Sequence, residues 1–335
     1  MNAYTNKEET VVYSELLVEH FNRTTELLTN IVFHSVFPPL EIQKEVEVII
    51  DEINSYEDNP SELIFDEFEN LIFPNHPLGR NILGEPDLLR TFKTNDFNAF
   101  TSRYYHPSNM VFFVLGNLDF KKIIKDIGKL TSNIPALTIE NKRTPPPEYS
   151  AHHLVVDKQT HQAHVMIGNR GYNAYNDKRT ALYMLNNILG GPGMNSKLNI
   201  SLREKRGLVY NVESNLTSYT DTGAFCIYFG TDPNDVNRCL ALTYKELKHL
   251  RDNKMTALQL AAAKKQLIGQ IGVASDNNEN NALGMAKAFL HYNKCESREA
   301  LFKRIESLTA DVLLEVANEM FAENQLSTLI YGVKD

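Results

Sequence analysis

The chain has 335 residues, enough for two domains with cores of their own, and its 42% apolar and 23% charged content is that of a globular protein. Acidic residues outnumber basic ones 42 to 34, and a net charge of −8 excludes nucleic acid as the main partner, because phosphate binding needs a basic face. No apolar run reaches membrane-spanning length, and Cys226, Cys239 and Cys295, widely spaced and odd in number, read as free thiols of a reducing, cytoplasmic compartment.

After a short polar start at Asn2–Thr5, the run Thr10-Val11-Val12-Tyr13 predicts a strand. A helix is expected from about Ser14 to Ser35, with Leu16, Leu17, Phe21, Leu27, Leu28, Ile31 and Val32 on its buried side. Pro38-Pro39 then opens a second helix, since a proline in the first turn loses no hydrogen bond. Ile42, Val46, Ile49 and Ile53 make its apolar stripe. Glu45 and Glu52 are two turns apart, within about 20° of one face, with Val48 between them. Acids beside a branched apolar residue suggest a partly buried face; a solvated acidic face is the ordinary alternative.

Asn59-Pro60 starts a third helix, and the breaker-rich Phe73–Arg80 reads as a loop. Further expectations are a helix from about Asp96 to Tyr105, a strand at Met110–Leu115 and a helix over about Phe120–Leu130. The polar, proline-rich stretch 141–150 reads as a linker between a domain at 1–140 and another at 151–335. Beyond it, strands are predicted at Leu154–Val156, Ala163–Gly168, Leu208–Glu213, Gly223–Gly230 and Ser327–Tyr331, with helices between.

The halves repeat one another. Tyr105 to Gly116 matches Phe321 to Gly332 at a constant offset of 216, and Asn22-Arg23 matches Asn237-Arg238 at 215. The helix carrying Glu45 and Glu52 meets Ala263–Ile271, where the two carboxylates become Ala263 and Gln270. Acids kept in one copy alone point to function rather than framework. Asn2 pairs with Asn215, and 151–214 has no counterpart ahead of Asn2, so the first domain is expected to lack its opening strands and first helix.

The stretches Asn2-Ala3-Tyr4-Thr5, the Glu45/Glu52 pair, His76-Pro77-Leu78-Gly79-Arg80, Tyr105-His106-Pro107-Ser108-Asn109-Met110, Leu189-Gly190-Gly191 and Leu202–Tyr210 follow one another along the chain. In this order they resemble the pitrilysin/insulinase-like zinc peptidases, which include mitochondrial processing peptidase, and in particular the small bacterial members with two domains. The resemblance implies an α+β fold of two homologous domains, each a mostly antiparallel sheet with helices packed on one face. It implies a zinc endopeptidase acting on extended peptides in a clamshell chamber, with Glu52 as a zinc ligand and Glu45 as a supporting acid. The two histidines and general base of the family's H-x-x-E-H helix are absent, so the chain as it stands is expected to be inert.

The resemblance also implies that Arg203 and Tyr210 stabilise the oxyanion forming on the scissile carbonyl. Asn2, Ala3, Tyr4 and Thr5 would form an edge strand that pairs with substrate backbone. Gly190-Gly191-Pro192-Gly193 lacks the residues of a phosphate loop and reads as a helix-end loop, one that touches substrate in this family. His161 and His164 sit at a strand start and face opposite ways, which argues against a shared metal. The partners implied are a peptide substrate and a second copy or related subunit. A non-catalytic scaffold or peptide-binding subunit paired with an active partner is the competing reading.

Overall fold

A computed structural model describes residues 1–135, 137 and 143–332. Residues 141–142 of the proline-rich stretch therefore lie outside the described residues. The first half runs β1 (Asn2–Thr5), β2 (Thr10–Tyr13), α1 (Phe21–Phe33), α2 (Pro39–Glu57), α3 (Pro60–Ile72), α4 (Pro86–Leu89), α5 (Thr94–Tyr104) and α6 (Phe120–Thr131). The second runs β3 (His153–Val156), β4 (Ala163–Gly171), α7 (Arg179–Gly190), a π-helix at Asn199–Glu204, β5 (Val209–Ser218) and β6 (Gly223–Thr231). It ends with α8 (Val236–Asp252), α9 (Ala257–Ala274), α10 (Asn278–Tyr292), α11 (Arg298–Ser307), α12 (Ala310–Met320) and β7 (Ser327–Tyr331). Among the described residues no helix is long and apolar enough to cross a membrane.

The fold is α+β, with the repeat written into its elements. α5 and α12 start at Thr94 and Ala310 and end at Tyr104 and Met320, 216 residues apart at both ends. α2 and α9 start 218 apart, at Pro39 and Ala257. The antiparallel ladder β1–β2 pairs Asn2 with Tyr13 and Thr5 with Thr10. The ladder β5–β6 pairs Asn215 with Cys226 and Ser218 with Gly223, the same four positions displaced by 213.

Contacts divide the chain into two compact units. One comprises Met1–Ile53, Ile82–Arg143 and Val273–Glu296; the other comprises Asn54–Asn81, Thr144–Gly272 and Ser297–Asp335. A boundary falls inside the proline-rich stretch, at Arg143/Thr144, but others fall within α2 and α9. The units are thus not consecutive halves of the sequence: α3 belongs with the second, and α10 with the first.

The second unit is built on a sheet of order β3-β7-β4-β6-β5, antiparallel throughout except for the parallel pair β3–β7. Strand alternation sends Val165 and Ile167 to one face and Met166 to the other. The first face shares a core with α7, α8 and α12, including Leu182, Leu185, Leu247, Leu313 and Val316. The second is covered by α3, whose Ile64, Phe68 and Ile72 pack with Met166, Tyr228, Leu329 and Tyr331. Helices thus pack across one face of this sheet, and α3 adds a cover on the other over β4, β6 and β7, while Leu154 and Val155 of β3 stay exposed. Arg170 on β4 ties the end of α3 down, its Nε donating to the Ile72 carbonyl at 2.7 Å and its guanidinium lying over the Phe73 ring.

In the first unit, Ile42, Val46, Ile50 and Ile53 of α2 pack with Leu89. Two expectations fail here. Residues 110–115 form no strand, although their counterpart β7 does. β7 is paired on both sides, by β3 and β4, and the described first half offers no equivalent of either, so there is no ladder to join. The first helix begins at Phe21 rather than near Ser14, and Leu17 and Leu27 of its expected buried side are 67% and 48% exposed. Its counterpart α8 buries Leu247 and Leu250 against the five-stranded sheet. The described first half supplies only the β1–β2 ladder.

Candidate functional site

α2 presents Glu45, Val48 and Glu52 together, as the spacing requires, but the face is solvent-exposed rather than partly buried. The buried stripe runs through Ile50, with Ile49 half-buried beside it, which turns the two carboxylates fully away from the core. A hydrolytic zinc needs about three protein ligands and one open position. Among the described residues no group of three or more His, Cys, Asp or Glu side chains gathers to hold a metal. Glu52 as placed therefore does not fit a zinc site by itself. His164 belongs to the sheet's framework: it is buried in β4 with Nδ1 2.9 Å from the Tyr228 hydroxyl, and burial lowers its pKa. His76 is likewise structural, bonding the Thr144 carbonyl through Nε2 at 2.9 Å and accepting from the Leu78 amide.

The second unit has a polar cleft where α7 ends against β5. Asn186 and Ser214 hold the two elements together by a reciprocal exchange: Asn186 Nδ2 donates to the Ser214 carbonyl at 3.0 Å, and Ser214 Oγ donates to the Asn186 carbonyl at 2.9 Å. Gly190 permits this approach, since a Cβ there would lie 2.7 Å from the Ser214 nitrogen. The glycine-rich turn that follows lines the cleft together with Asn187, Asn199, Arg203, Glu213 and Asn215. Beneath this lining, Asn186 Oδ1 and Ser196 Oγ are buried with no hydrogen-bond partner among the described residues. The amide and charged side chains that do line the cleft suit a polar ligand.

Arg203 comes to this cleft from the π-helix, a geometry often found at functional sites. The helix ends at Glu204, and after a turn the chain passes Gly207, whose φ of +62° suits glycine, and enters β5. The β5–β6 register slips between Val209 and Val212, so Tyr210 sits in an irregular stretch of an edge strand and is 89% exposed. Such slips re-aim side chains at sheet edges. Sequence reasoning singled out Arg203, Tyr210 and the glycines. It missed Asn186, Asn187, Ser196 and Glu213, although two adjacent asparagines inside the otherwise apolar run Ala181–Leu189 were a visible signal.

In the first unit, β1 is paired with β2 alone, which leaves its other edge open among the described residues. The turn joining the two strands is anchored on α10. Glu9, its side chain only 6% exposed, lies 2.7 Å from Lys287 Nζ and 2.6 Å from His291 Nε2. Asn6 Nδ2 donates to it as well, at 2.7 Å. Burial pushes the Glu9 carboxyl upward, but these bonds outweigh it and bring the pKa down to about 2. The bond to Glu9 raises His291. Lys287 also lies over the ring of Tyr4 on β1. Asn2–Thr5 is thus one strand of an anchored hairpin.

Comparison with known proteins agrees with this geometry. Residues 1–86 match the family model described as insulinase, peptidase family M16, and residues 91–267 match that of the peptidase M16 inactive domain. An uncharacterized zinc protease of Rickettsia bellii is 30% identical over 329 residues, covering 98% of this chain and 79% of its own length. The uncharacterized zinc protease YmxG of Bacillus subtilis is 30% identical over 332 residues, covering 98% and 80%. Two solved structures share the fold, both with a TM-score of 0.86. A peptidase M16 inactive domain from Pseudomonas fluorescens, 21% identical, covers 95% of this chain and 76% of that one. A protease from Helicobacter pylori, 22% identical, covers 94% and 78%. With the sequence matches spanning nearly the whole chain and the repeated α+β units beneath them, the chain belongs to the insulinase family, peptidase family M16.

Proposed function

We propose that this chain serves the hydrolysis of extended peptides as part of a zinc endopeptidase of the insulinase kind. The observation that carries the peptide-binding reading is the amide-rich cleft of the second unit, where Asn187, Asn199, Glu213 and Asn215 accompany the Arg203 guanidinium. Peptide N–H groups match the side-chain amide and carboxylate oxygens, and a peptide carbonyl matches the guanidinium. Arg203 and Tyr210 are assigned to the negative charge that develops on the scissile carbonyl. Asn2, Ala3, Tyr4 and Thr5 are assigned to backbone pairing along the open edge of β1. Glu52 is assigned to metal and Glu45 to its support; the remaining zinc ligands are not among the groups the described residues bring together.

A second reading makes the chain a peptide-binding subunit that works with a second copy or a related chain. It is favoured by the match of residues 91–267 to a domain described as inactive. One experiment separates the two. A fluorescein-labelled extended peptide is titrated with the chain in the presence of zinc, binding is followed by anisotropy, and cleavage by mass spectrometry. Both readings expect saturable binding that Arg203→Ala weakens about tenfold or more, the size of a lost charged hydrogen bond. The first alone expects cleavage, and only when the two histidines and general base are supplied by joining the chain to an H-x-x-E-H helix; there Tyr210→Phe lowers kcat on the order of 10²-fold at nearly unchanged KM. Binding without cleavage by that joined protein supports the second. Absence of binding, or binding indifferent to Arg203, rejects both.

A further inference from the structure

The chain is acidic, yet one cleft of the second unit has the opposite sign. It occupies about 290 Å³ beside α8 and is lined by Lys197, Lys205, Arg206 and Lys245, with Glu246 as its only carboxylate. Helix-end chemistry accounts for part of this. Lys205 and Arg206 follow the π-helix, where a helix C-terminus favours cations, and Arg206 Nη1 donates to the Ser201 carbonyl at 2.7 Å. It does not account for the other two. Lys197 stands in the first turn of the same helical stretch, where positive charge is disfavoured, and Lys245 lies in the middle of α8.

The cations are also poorly neutralised. Lys197 Nζ is 4.0 Å from Glu246 Oε2, too far for a hydrogen bond. Lys205 and Lys245 have no ion-pair partner among the described residues. Four cations facing one carboxylate repel one another, and a polyvalent anion removes that repulsion. The cleft is distinct from the amide-rich one: Asn199 and Arg203 of the π-helix line that cleft, whereas Ser201 and Lys205 line this one.

We propose that this basic cleft binds a small polyvalent oxyanion of the phosphate class, held by Lys197, Lys205, Arg206 and Lys245. Its volume suits a compact group better than a length of peptide. The ligand is either a free inorganic phosphate chain or the terminal phosphates of an ester, since both offer the same oxygens to the lysines.

The test is calorimetric titration of the intact chain with inorganic diphosphate at two salt concentrations. The expected result is one saturable site that weakens as salt rises. Lys205→Ala combined with Lys245→Ala should weaken it at least tenfold; both side chains are exposed, and an unchanged melting temperature confirms folding. Lys254→Ala removes an exposed lysine paired with Asp311 outside the cleft, and should leave binding unchanged. A nucleoside diphosphate forms the second arm. Equal affinity identifies the free phosphate chain as sufficient, and tighter binding identifies an ester; either supports the site. Three outcomes overturn it: no saturable binding, binding unaffected by the double substitution, or displacement of diphosphate by a glutamate-rich peptide that binds the cleft more tightly.

Discussion

Single residues set how closely the elements of the amide-rich cleft approach. Gly190 ends α7 where Ser214 passes so near that an added Cβ would also meet Ser214 Oγ at 2.8 Å. Gly190→Ala must push α7 and β5 apart and break the Asn186–Ser214 exchange. A cost of about 1–3 kcal/mol is expected, the usual size of overpacking in a tight contact. It should appear as a lower urea midpoint with an unchanged slope. Gly207 is a different case, because open space surrounds it and only its φ of +62° is at stake. Gly207→Ala should cost about 1–2 kcal/mol, and Gly207→Asn less, since asparagine tolerates the left-handed region. Equal losses for alanine and asparagine would mean that φ is not what selects glycine there. The sequence marked Gly190 by its helix-end position, but not the contact that requires glycine there. What Gly190 must avoid lies on a strand 24 residues further on.

At the scale of elements, the hairpin β1–β2 depends on charges that the chain brings from its other half. Glu9 meets Lys287 and His291 of α10, and Tyr4 lies beneath Lys287. The charged groups facing His291 are Glu9, Glu8 and Lys287. Glu9 has its pKa depressed, so its stabilisation is present above the ordinary carboxylate value of 4.5 and is lost as pH falls towards about 2. His291 has its pKa raised, so its contribution is complete below the ordinary histidine value of 6.5 and is lost as pH rises through the elevated one. The anchor is therefore strongest between these two ordinary values. The His291 ring signals in NMR should titrate above the ordinary histidine value. Glu9→Gln should return that titration towards normal and destabilise the first unit by about 1–2 kcal/mol, the loss of hydrogen bonds from half-buried charged groups. A His291 that titrates normally in the unaltered chain would remove the anchor. Nothing local in the sequence announces this contact, because Glu9 and His291 are 282 residues apart and belong to no motif. The repeat, by contrast, was legible from offsets alone and returns in the ladder registers. The strand expected at 110–115 shows the limit of local reading: a β-branched, aromatic run is strand-competent, but a strand exists only where a partner pairs with it.

At the scale of the whole molecule, sequence neighbours do not share a fate. α2 and α3 are separated by two residues, yet the unit boundary falls at Ile53/Asn54, before α2 ends. α3 completes the second unit's sheet by covering the face that carries Met166, Tyr228 and Leu329. Reading the chain as successive domains at 1–140 and 151–335 follows the proline-rich stretch, which is a signal of composition. The packing of α3 instead follows from its Ile64, Phe68 and Ile72, which give no hint of which half they will meet. Cooperative opening follows contacts rather than chain order, so α3 should open with β4 and β6 and not with α2. Phe68 is 2% exposed in that core. Phe68→Ala removes a buried ring and leaves a cavity, at an expected cost of about 3–5 kcal/mol. Hydrogen exchange read by mass spectrometry is the measurement. In the unaltered chain, peptides from α3, β4 and β6 should exchange with similar protection. In Phe68→Ala all three should lose it together, by the same factor, while peptides from residues 39–53 of α2 keep theirs. If α3 instead loses protection in step with α2 and leaves β4 and β6 untouched, its contacts with the sheet do not hold the second unit together, and the division at Ile53/Asn54 has no energetic meaning.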